Sequence, residues 1–189
     1  MLFSFCCIRT ELRRLGRCCH LAVAACLLLA VTLPCHAATW RDDLPQAQQL
    51  GGGELHWFGL KIYRIGLWSA QVPFNPAQPF ALELTYERNI SRQRLVDISI
   101  DEMRRLFRDR YSEMQFQQWH TVMQNAFVDV KAGDQLIGVS LPGIGCRFYN
   151  RDALLAEVRD PEFARAFFAI WLDSRSKDAQ LRQQLLGQP

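Results

Sequence analysis

Cysteine is scarce beyond the first 38 residues of this chain. Of the seven cysteines among 189 residues, six precede residue 38, which leaves Cys146 alone in the remainder. A single cysteine excludes an internal disulfide there, so an apolar core must hold the fold together. Cys146 follows a "PGIG" turn at the start of a predicted strand, with no clear base beside it. We therefore expect a small buried hydrophobic residue rather than a nucleophile.

Histidine is equally scarce, because only His56 and His120 lie beyond residue 38. A zinc site requires three or four nitrogen, sulfur or oxygen ligands at characteristic spacings, and the sequence contains no such set. His56 alternates with apolar residues in a strand pattern, and His120 follows Trp119 in a helix pattern. Both histidines are expected to be structural, so the sequence predicts no bound metal and no cofactor.

The usual catalytic motifs are missing as well. Ser140 lies in "GVSLPG", a hairpin pattern, and not in the GxSxG turn of a hydrolase. Gly51–Gly53 begin neither a GxGxxG nor a GK[ST] motif, so a linker or turn is favoured over a phosphate loop. Asp97 and Asp101 are one helical turn apart, but pairing of Asp101 with Arg105 on a solvated face is favoured over paired catalytic carboxylates. The sequence therefore predicts no conventional catalytic residues.

An excess of positive charge is also lacking. Four of the 22 basic residues and one of the 19 acidic residues lie within 1–38, so 18 of each remain and the rest of the chain is neutral overall. A domain that binds nucleic acid normally carries a net positive charge or a basic stripe. We therefore expect no nucleic-acid partner.

The first 38 residues have the pattern of a secretory signal peptide. A basic start precedes "LAVAACLLLAVTLP" at 21–34, an apolar run of signal-peptide length that is too short to span a bilayer comfortably. Small residues predict cleavage after Ala37 or Ala38, and an uncleaved anchor is the alternative. Pro34 before Cys35 argues against lipid attachment. We expect an exported, periplasmic protein with no stable membrane span after cleavage.

The remaining chain is predicted to consist of a flexible segment at 39–53 and one domain at 54–189. Alternating apolar residues predict strands, and apolar residues three or four apart predict helices. The predicted strands are 54–58, 61–70, 80–87, 134–141, 145–150 and 153–158, and the predicted helices are 92–110, 112–126, 160–174 and 177–187. This order predicts an α+β fold in which an antiparallel sheet carries helices on one face.

One predicted strand carries two cations among large apolar residues. Strict alternation places Lys61 on the same face as Tyr63 and places Arg64 on the opposite face. A cation beside an aromatic ring can bind the carboxylate of a ligand at the mouth of an apolar pocket. The alternative is that Lys61 and Arg64 pair with carboxylates such as Glu83 on the neighbouring strand.

Four blocks of the sequence resemble the bacterial chalcone isomerase-like family of exported proteins, over roughly Gly53 to Gly187. The blocks are "GLKIYRIGLWSA", "LELTYERNISRQRLVD", "DQLIGVSLPGIGCRFYN" and, as the most specific, "DPEFARAFFAIWLDSRSKDAQLRQQLLG". The resemblance implies an open-faced β-sandwich, a large antiparallel sheet with helices packed against it. It also implies a cleft between sheet and helices that holds an aromatic or fatty-acid ligand.

The resemblance implies binding more strongly than catalysis. In ring-closing members, an arginine precedes a threonine whose position falls on or near Tyr63, and the stretch before Tyr63 has no such arginine. The tyrosine, lysine and asparagine of the following helix fall near Leu95, Ile98 and Glu102, so none is retained. Non-catalytic relatives hold a fatty-acid carboxylate with an arginine and a tyrosine. Tyr63 matches that tyrosine.

We therefore expect a periplasmic, non-catalytic binding protein for a small apolar or amphiphilic ligand, such as a fatty acid. Tyr63, with Arg64 or Lys61 as the replacement for the missing arginine, is the expected ligand site. Two alternatives remain open. The first is an isomerase or lyase that acts on a phenolic or enone substrate, and the second is an interaction module of the cell envelope.

Overall fold

The computed structural model describes residues 39–188. The predicted signal peptide and its cleavage site lie outside the described residues. In the described part, six strands form one antiparallel sheet in chain order. The strands are β1 (Gln48–Trp57), β2 (Leu60–Ser69), β3 (Phe80–Tyr86), β4 (Gln135–Leu141), β5 (Gly145–Tyr149) and β6 (Leu154–Val158). The helices are α1 (Trp40–Asp43), α2 (Arg92–Phe107), α3 (Glu113–Ala126), α4 (Pro161–Leu172) and α5 (Ala179–Leu185).

Four of the helices, α2 to α5, begin at side chains that accept hydrogen bonds from the first turn. Asp160 caps α4 by accepting from the backbone nitrogens of Glu162 and Phe163, at 2.9 and 3.0 Å. Ser91 and Ser112 cap α2 and α3 in the same way. Such caps satisfy backbone donors that a helix leaves unpaired at its start, which is why the sequence shows these boundaries. None of the helices within 39–188 is long and apolar enough to cross a membrane.

The main core lies between one face of the sheet and the helices α2 to α5. The sheet contributes alternate residues of its central strands, and the helices contribute large aromatic and aliphatic side chains. Fully or almost fully buried members include Ile65, Leu67, Leu82, Leu84, Phe148, Val96, Met103, Trp119, Phe163 and Phe167. The α+β fold with helices on one face, predicted from the sequence, is confirmed.

A smaller apolar cluster covers part of the opposite face of the sheet. Trp40 and Leu44, in and after α1, pack there on residues of β3, β4 and β5. Tyr149 donates its hydroxyl to Asp43 across 2.7 Å, which ties α1 to the sheet. Residues 39–53, expected as a flexible segment, thus hold an anchored helix and the first part of β1.

The glycine run lies inside a strand because a helix crosses it closely. β1 begins at Gln48, whereas the sequence predicts the first strand at 54–58. A Cβ atom on Gly51 would overlap the backbone oxygen of Gln184 in α5, and one on Gly53 would overlap the side chain of Gln184. Glycine is required where two backbones approach this closely. The expectation of a linker or turn at Gly51–Gly53 is therefore corrected.

Candidate functional site

A cavity of about 730 Å³ lies between the sheet and the helices α2, α4 and α5. This volume is in the range of sites that bind small molecules. Most of its wall is apolar, with Leu55, Trp57, Ile62, Leu82, Leu84 and Leu136 from the sheet, Leu95 and Ile98 from α2, and Phe167, Phe168, Ile170 and Trp171 from α4. The cavity is therefore suited to an apolar ligand that carries few polar atoms.

A glycine of the sheet makes room for an aromatic ring of the cavity wall. A Cβ atom on Gly138 would lie 3.0 Å from the ring of Phe168, closer than ordinary van der Waals contact. Phe168 also meets Phe167 edge to face, with ring centroids 5.4 Å apart. Close packing of this kind holds the wall of the cavity in a defined shape.

Tyr63 is the main polar side chain on the sheet side of the cavity. Trp171 donates its indole N–H to the Tyr63 hydroxyl oxygen across 2.9 Å. Desolvation raises the pKa of Tyr63 to about 12, and the hydrogen bond from Trp171 only partly opposes it. The phenol is therefore neutral at physiological pH. Within the described chain its proton has no acceptor, so it can be donated to a ligand.

Tyr86 places a second phenol beside the first. The two rings meet edge to face with centroids 6.0 Å apart. Burial raises the pKa of Tyr86, with the nearby Tyr63 as a smaller cause. Its hydroxyl makes no hydrogen bond to any residue of 39–188, although its ring is buried and lines the cavity. The cavity thus contains two neutral hydroxyl donors.

A buried carboxylate lies on the helix side of the cavity. Glu102 accepts from Arg105 Nε at 3.0 Å, and Lys177 Nζ lies 2.7 Å from its other oxygen. Burial acts to raise the pKa of Glu102, but the contacts with Arg105 and Lys177 outweigh it and hold the pKa below its ordinary value. Glu102 is therefore ionised, and the positive charges of Arg105 and Lys177 balance its negative charge. It is not a free general base.

The other acidic residues of the cavity wall also have partners. Asp101 pairs with Arg104 at 3.1 Å, and not with Arg105 as expected from the sequence. Arg105 pairs instead with Glu102, one residue further along the helix. Asp178 accepts from the backbone nitrogen of Leu181 as the cap of α5. These carboxylates therefore hold the local structure together.

Two arginines at the rim lack such partners. Arg88, two residues after the end of β3, and Arg94, in the first turn of α2, both line the cavity and are exposed. Neither makes an ion pair with a carboxylate anywhere in residues 39–188. They are available to a negatively charged group at the mouth of the cavity.

The pairing of β1 with β2 corrects the predicted faces of Lys61 and Arg64. Two successive residues of β1 pair with Tyr63 and Lys61, so Ile62 between them is an extra residue in a β-bulge. The bulge places Lys61 on the face of Arg64, opposite to Tyr63. Ile62 and Tyr63 both line the cavity, whereas Lys61 and Arg64 do not.

Both cations of β2 are paired with carboxylates on that other face. Lys61 contacts Glu54 and lies 3.7 Å from Glu87, and Arg64 donates to Glu87 across 3.0 Å. The alternative raised from the sequence, that these cations pair with neighbouring carboxylates, agrees with the structure, although Glu83 is not the partner. The structure brings Tyr63 to the cavity without Lys61 or Arg64.

Several residues singled out from the sequence lie away from the cavity. Cys146 is buried in the core, where burial raises the pKa of its thiol, with Asp160 as a smaller cause. His56 lies near Glu54, and His120 lies 3.3 Å from Asp97. Within residues 39–188 no group of three or more histidine, cysteine, aspartate or glutamate side chains is arranged for a metal ion.

The helix positions implied by the family resemblance do line the cavity. Leu95, Ile98 and Glu102 project toward it from one face of α2. Sequence reasoning missed three further cavity residues, Arg88, Arg94 and Trp171. No local signal marks the arginines: Arg88 follows a strand, and Arg94 lies three residues before Asp97, a spacing that predicts an ion pair rather than a free cation. For Trp171, the signal is an indole N–H on a buried helix face, which needs an acceptor.

Comparison with known proteins agrees with this architecture. A model of the chalcone isomerase-like family matches residues 53–187. The sequence matches none of the curated proteins compared with it. A fatty-acid binding protein of Arabidopsis thaliana has a similar crystal structure, with a TM-score of 0.57 and 12% sequence identity, over 80% of this chain and 90% of that one. At this identity the likeness shows a shared fold. The chain belongs to the chalcone isomerase-like family.

Proposed function

We propose that this protein binds a small amphiphile, a fatty acid or a similar apolar acid, in the cavity between sheet and helices, without chemical turnover. The observation that carries the proposal is the cavity of about 730 Å³, whose wall is mostly apolar. Burial of an apolar chain in such a space is the main source of affinity. The similar Arabidopsis thaliana protein binds fatty acids, which supports the same class of ligand.

The state of the polar groups supports binding over catalysis. Each acidic side chain of the wall already contacts a cation or caps a helix, as Glu102, Asp101 and Asp178 do. General acid–base chemistry requires a group whose proton can move at working pH. Tyr63 keeps its proton, since its pKa is raised to about 12. It supplies a neutral hydrogen-bond donor to a polar atom of the ligand.

The carboxylate of the ligand lies at the rim, beside Arg88 and Arg94. An ionised carboxylate is costly to bury without a cation. Lys177 is occupied by Glu102, while Lys61 and Arg64 lie on the opposite face of the sheet. Arg88 and Arg94 are therefore the cations of the described cavity wall that remain for the ligand.

Extraction of the bound molecule and titration with fatty acids test the proposed class of ligand. Native mass spectrometry of the purified protein should show a bound small acid, and calorimetry with octanoate to stearate should give saturable binding. Ser99→Phe places a phenyl ring in the cavity from α2 and should abolish binding, whereas Thr121→Phe on the exposed face of α3 should not. Equal binding by the two variants, or no binding by the wild type, would refute the proposal.

We also propose that the protein is exported and that its signal peptide is removed after Ala37 or Ala38. The basic start and the apolar run at 21–34 support this. The mass of the protein recovered from a periplasmic extract tests it. A chain that still begins at Met1, or that stays in the cytoplasm, contradicts the proposal.

A second candidate function is that of an isomerase or lyase that acts on an enone or phenolic substrate. The observation in its favour is the donated hydrogen bond from Trp171, which leaves the Tyr63 proton free to polarise a carbonyl oxygen. A panel of chalcones and related enones tests it. Turnover that is lost in Tyr63→Phe supports an enzyme, and binding of the same compounds without turnover excludes one.

A further inference from the structure

We propose that the β1–β2 turn, with the adjoining cavity rim, docks onto the surface of an anionic phospholipid bilayer. The docking surface consists of Trp57, Phe58 and Leu60 at the turn and of Arg88 and Arg94 at the rim. Its use would be to pass the ligand between bilayer and cavity. That use rests on the proposed function, whereas the docking itself does not.

The turn exposes an unusual amount of apolar surface. Trp57 is 64% exposed, Phe58 89% and Leu60 50%. The rings of Trp57 and Phe58 meet edge to face with centroids 5.1 Å apart. Three adjacent large apolar side chains at the tip of a hairpin are more than the scattered exposure of an ordinary surface.

The backbone conformation of the turn is one that aromatic residues disfavour, yet Phe58 occupies it. Phe58 has a φ of +48° and Gly59 a φ of +76°. Two successive positive φ angles in a two-residue loop are typical of a type I′ turn, whose first position favours asparagine or aspartate. A bulky side chain at positive φ is strained, and exposure of its ring to water adds to the cost. Strained residues of this kind occur at functional sites.

The tip of the hairpin is continuous with the mouth of the cavity. Trp57 lines the cavity and is exposed at the same time, as is Ile98 on α2. Arg88 and Arg94 line the same mouth without a carboxylate partner among residues 39–188. Apolar side chains and free cations thus share one rim.

This combination matches the interface of a bilayer better than a protein partner. Tryptophan and other aromatic residues insert at the headgroup level, and each nearby cation is attracted to anionic lipids. A stable protein interface takes about 800 Å² from each partner, which three side chains on one short turn do not supply. The positive charge of Arg88 and Arg94 favours anionic headgroups over neutral ones.

Cosedimentation of the purified protein with vesicles tests the proposal. Vesicles of phosphatidylglycerol mixed with an equal amount of phosphatidylcholine should bind the protein, and vesicles of phosphatidylcholine alone should bind it much more weakly. Phe58→Asn should reduce partitioning about tenfold while raising the midpoint of urea unfolding, because asparagine suits the turn. Leu60→Thr should reduce partitioning as well. Ile144 is an exposed apolar residue of the β4–β5 turn, and Ile144→Asn is the control, which should leave partitioning at the wild-type level.

Three results would overturn the docking surface. The first is equal binding to both kinds of vesicle, and the second is unchanged partitioning of Phe58→Asn. The third is a concentration-dependent dimer in sedimentation analysis that Phe58→Asn dissolves. Calorimetry with fatty acid in vesicle-free solution separates the two proposals. A protein that binds vesicles but no fatty acid keeps the docking surface and loses the proposed function.

Discussion

Trp171 on helix α4 donates its indole N–H to the hydroxyl of Tyr63 on strand β2 across 2.9 Å. The bond joins residues 108 positions apart in the chain. It links the helix layer to the sheet at the wall of the cavity, and it satisfies an indole donor that would otherwise be buried without a partner. The same bond leaves the Tyr63 proton for a ligand. One contact therefore serves both the stability of the fold and the chemistry of the cavity.

Removal of the Tyr63 hydroxyl should weaken the protein and change its ligand binding. Tyr63→Phe should lower the free energy of unfolding by about 1 kcal/mol, because it removes one hydrogen bond and leaves the indole unpaired. Urea denaturation followed by circular dichroism measures the change. A double-mutant cycle with Trp171→Phe should give a coupling energy of about 0.5–1.5 kcal/mol. Additive effects of the two substitutions would show that the bond contributes nothing.

Loss of the rim arginines should weaken binding of a carboxylate ligand. The double variant Arg88→Ala and Arg94→Ala should raise the dissociation constant for a fatty acid about tenfold, since a charge-assisted hydrogen bond contributes about 1.5–3 kcal/mol. Affinity for the corresponding fatty alcohol should hardly change. Isothermal calorimetry with both ligands gives the comparison.

The matched control for this prediction lies on the opposite face of the sheet. Lys61→Ala with Arg64→Ala removes the same number of cations, but both are paired with Glu54 and Glu87 outside the cavity. Fatty-acid affinity should therefore stay within about twofold. A larger loss in this control than in the rim variant would place the carboxylate near β2, as expected from the sequence.

The stability contributed by Glu102 should disappear in acid. Its pKa is lowered in the folded state, so the contribution is present above the ordinary value of 4.5 and is lost as pH falls through the lower folded pKa. At neutral pH, Glu102→Gln should be less stable by about 1 kcal/mol, a modest figure because Arg105 and Lys177 are partly exposed. Urea unfolding of both proteins from pH 7 to pH 3 should show the two midpoints converge. A constant difference over this range would contradict the ionised pair.

A methyl group on Gly51 should disturb the packing of α5. The Cβ atom would overlap the backbone oxygen of Gln184, so helix and strand must move apart. Gly51→Ala should lower the free energy of unfolding by about 1–3 kcal/mol, the usual effect of overpacking. Gln48→Ala, at an exposed position of the same strand, is the control and should change it little. Equal stability of the two variants would mean that α5 does not pack across the glycines.

The elements of the fold follow from local features of the sequence, and most of them are predictable. The helix that begins at Pro161 is marked by Asp160 as its cap and by a period of 3.6 residues in its apolar side chains. The strands β3 and β4 are marked by short apolar runs between turns. The exceptions are α1, which lies in the segment expected to be flexible, and the start of β1, whose glycines indicate a linker when considered alone. These glycines fit a strand only because α5 crosses them, and nothing within the run itself indicates that.

The candidate site is less predictable, because its members come together through pairing and packing. The sequence by itself determined the antiparallel sheet, the helix caps, the apolar core and the position of Tyr63 in a strand, since each depends on neighbours along the chain. Only the tertiary structure decided that a bulge at Ile62 turns Lys61 away from the cavity. It also decided that Arg88 and Arg94 both line the cavity and that Trp171 donates a hydrogen bond to Tyr63. Register and long-range contacts are set by strand pairing and helix packing, which local periodicity does not contain.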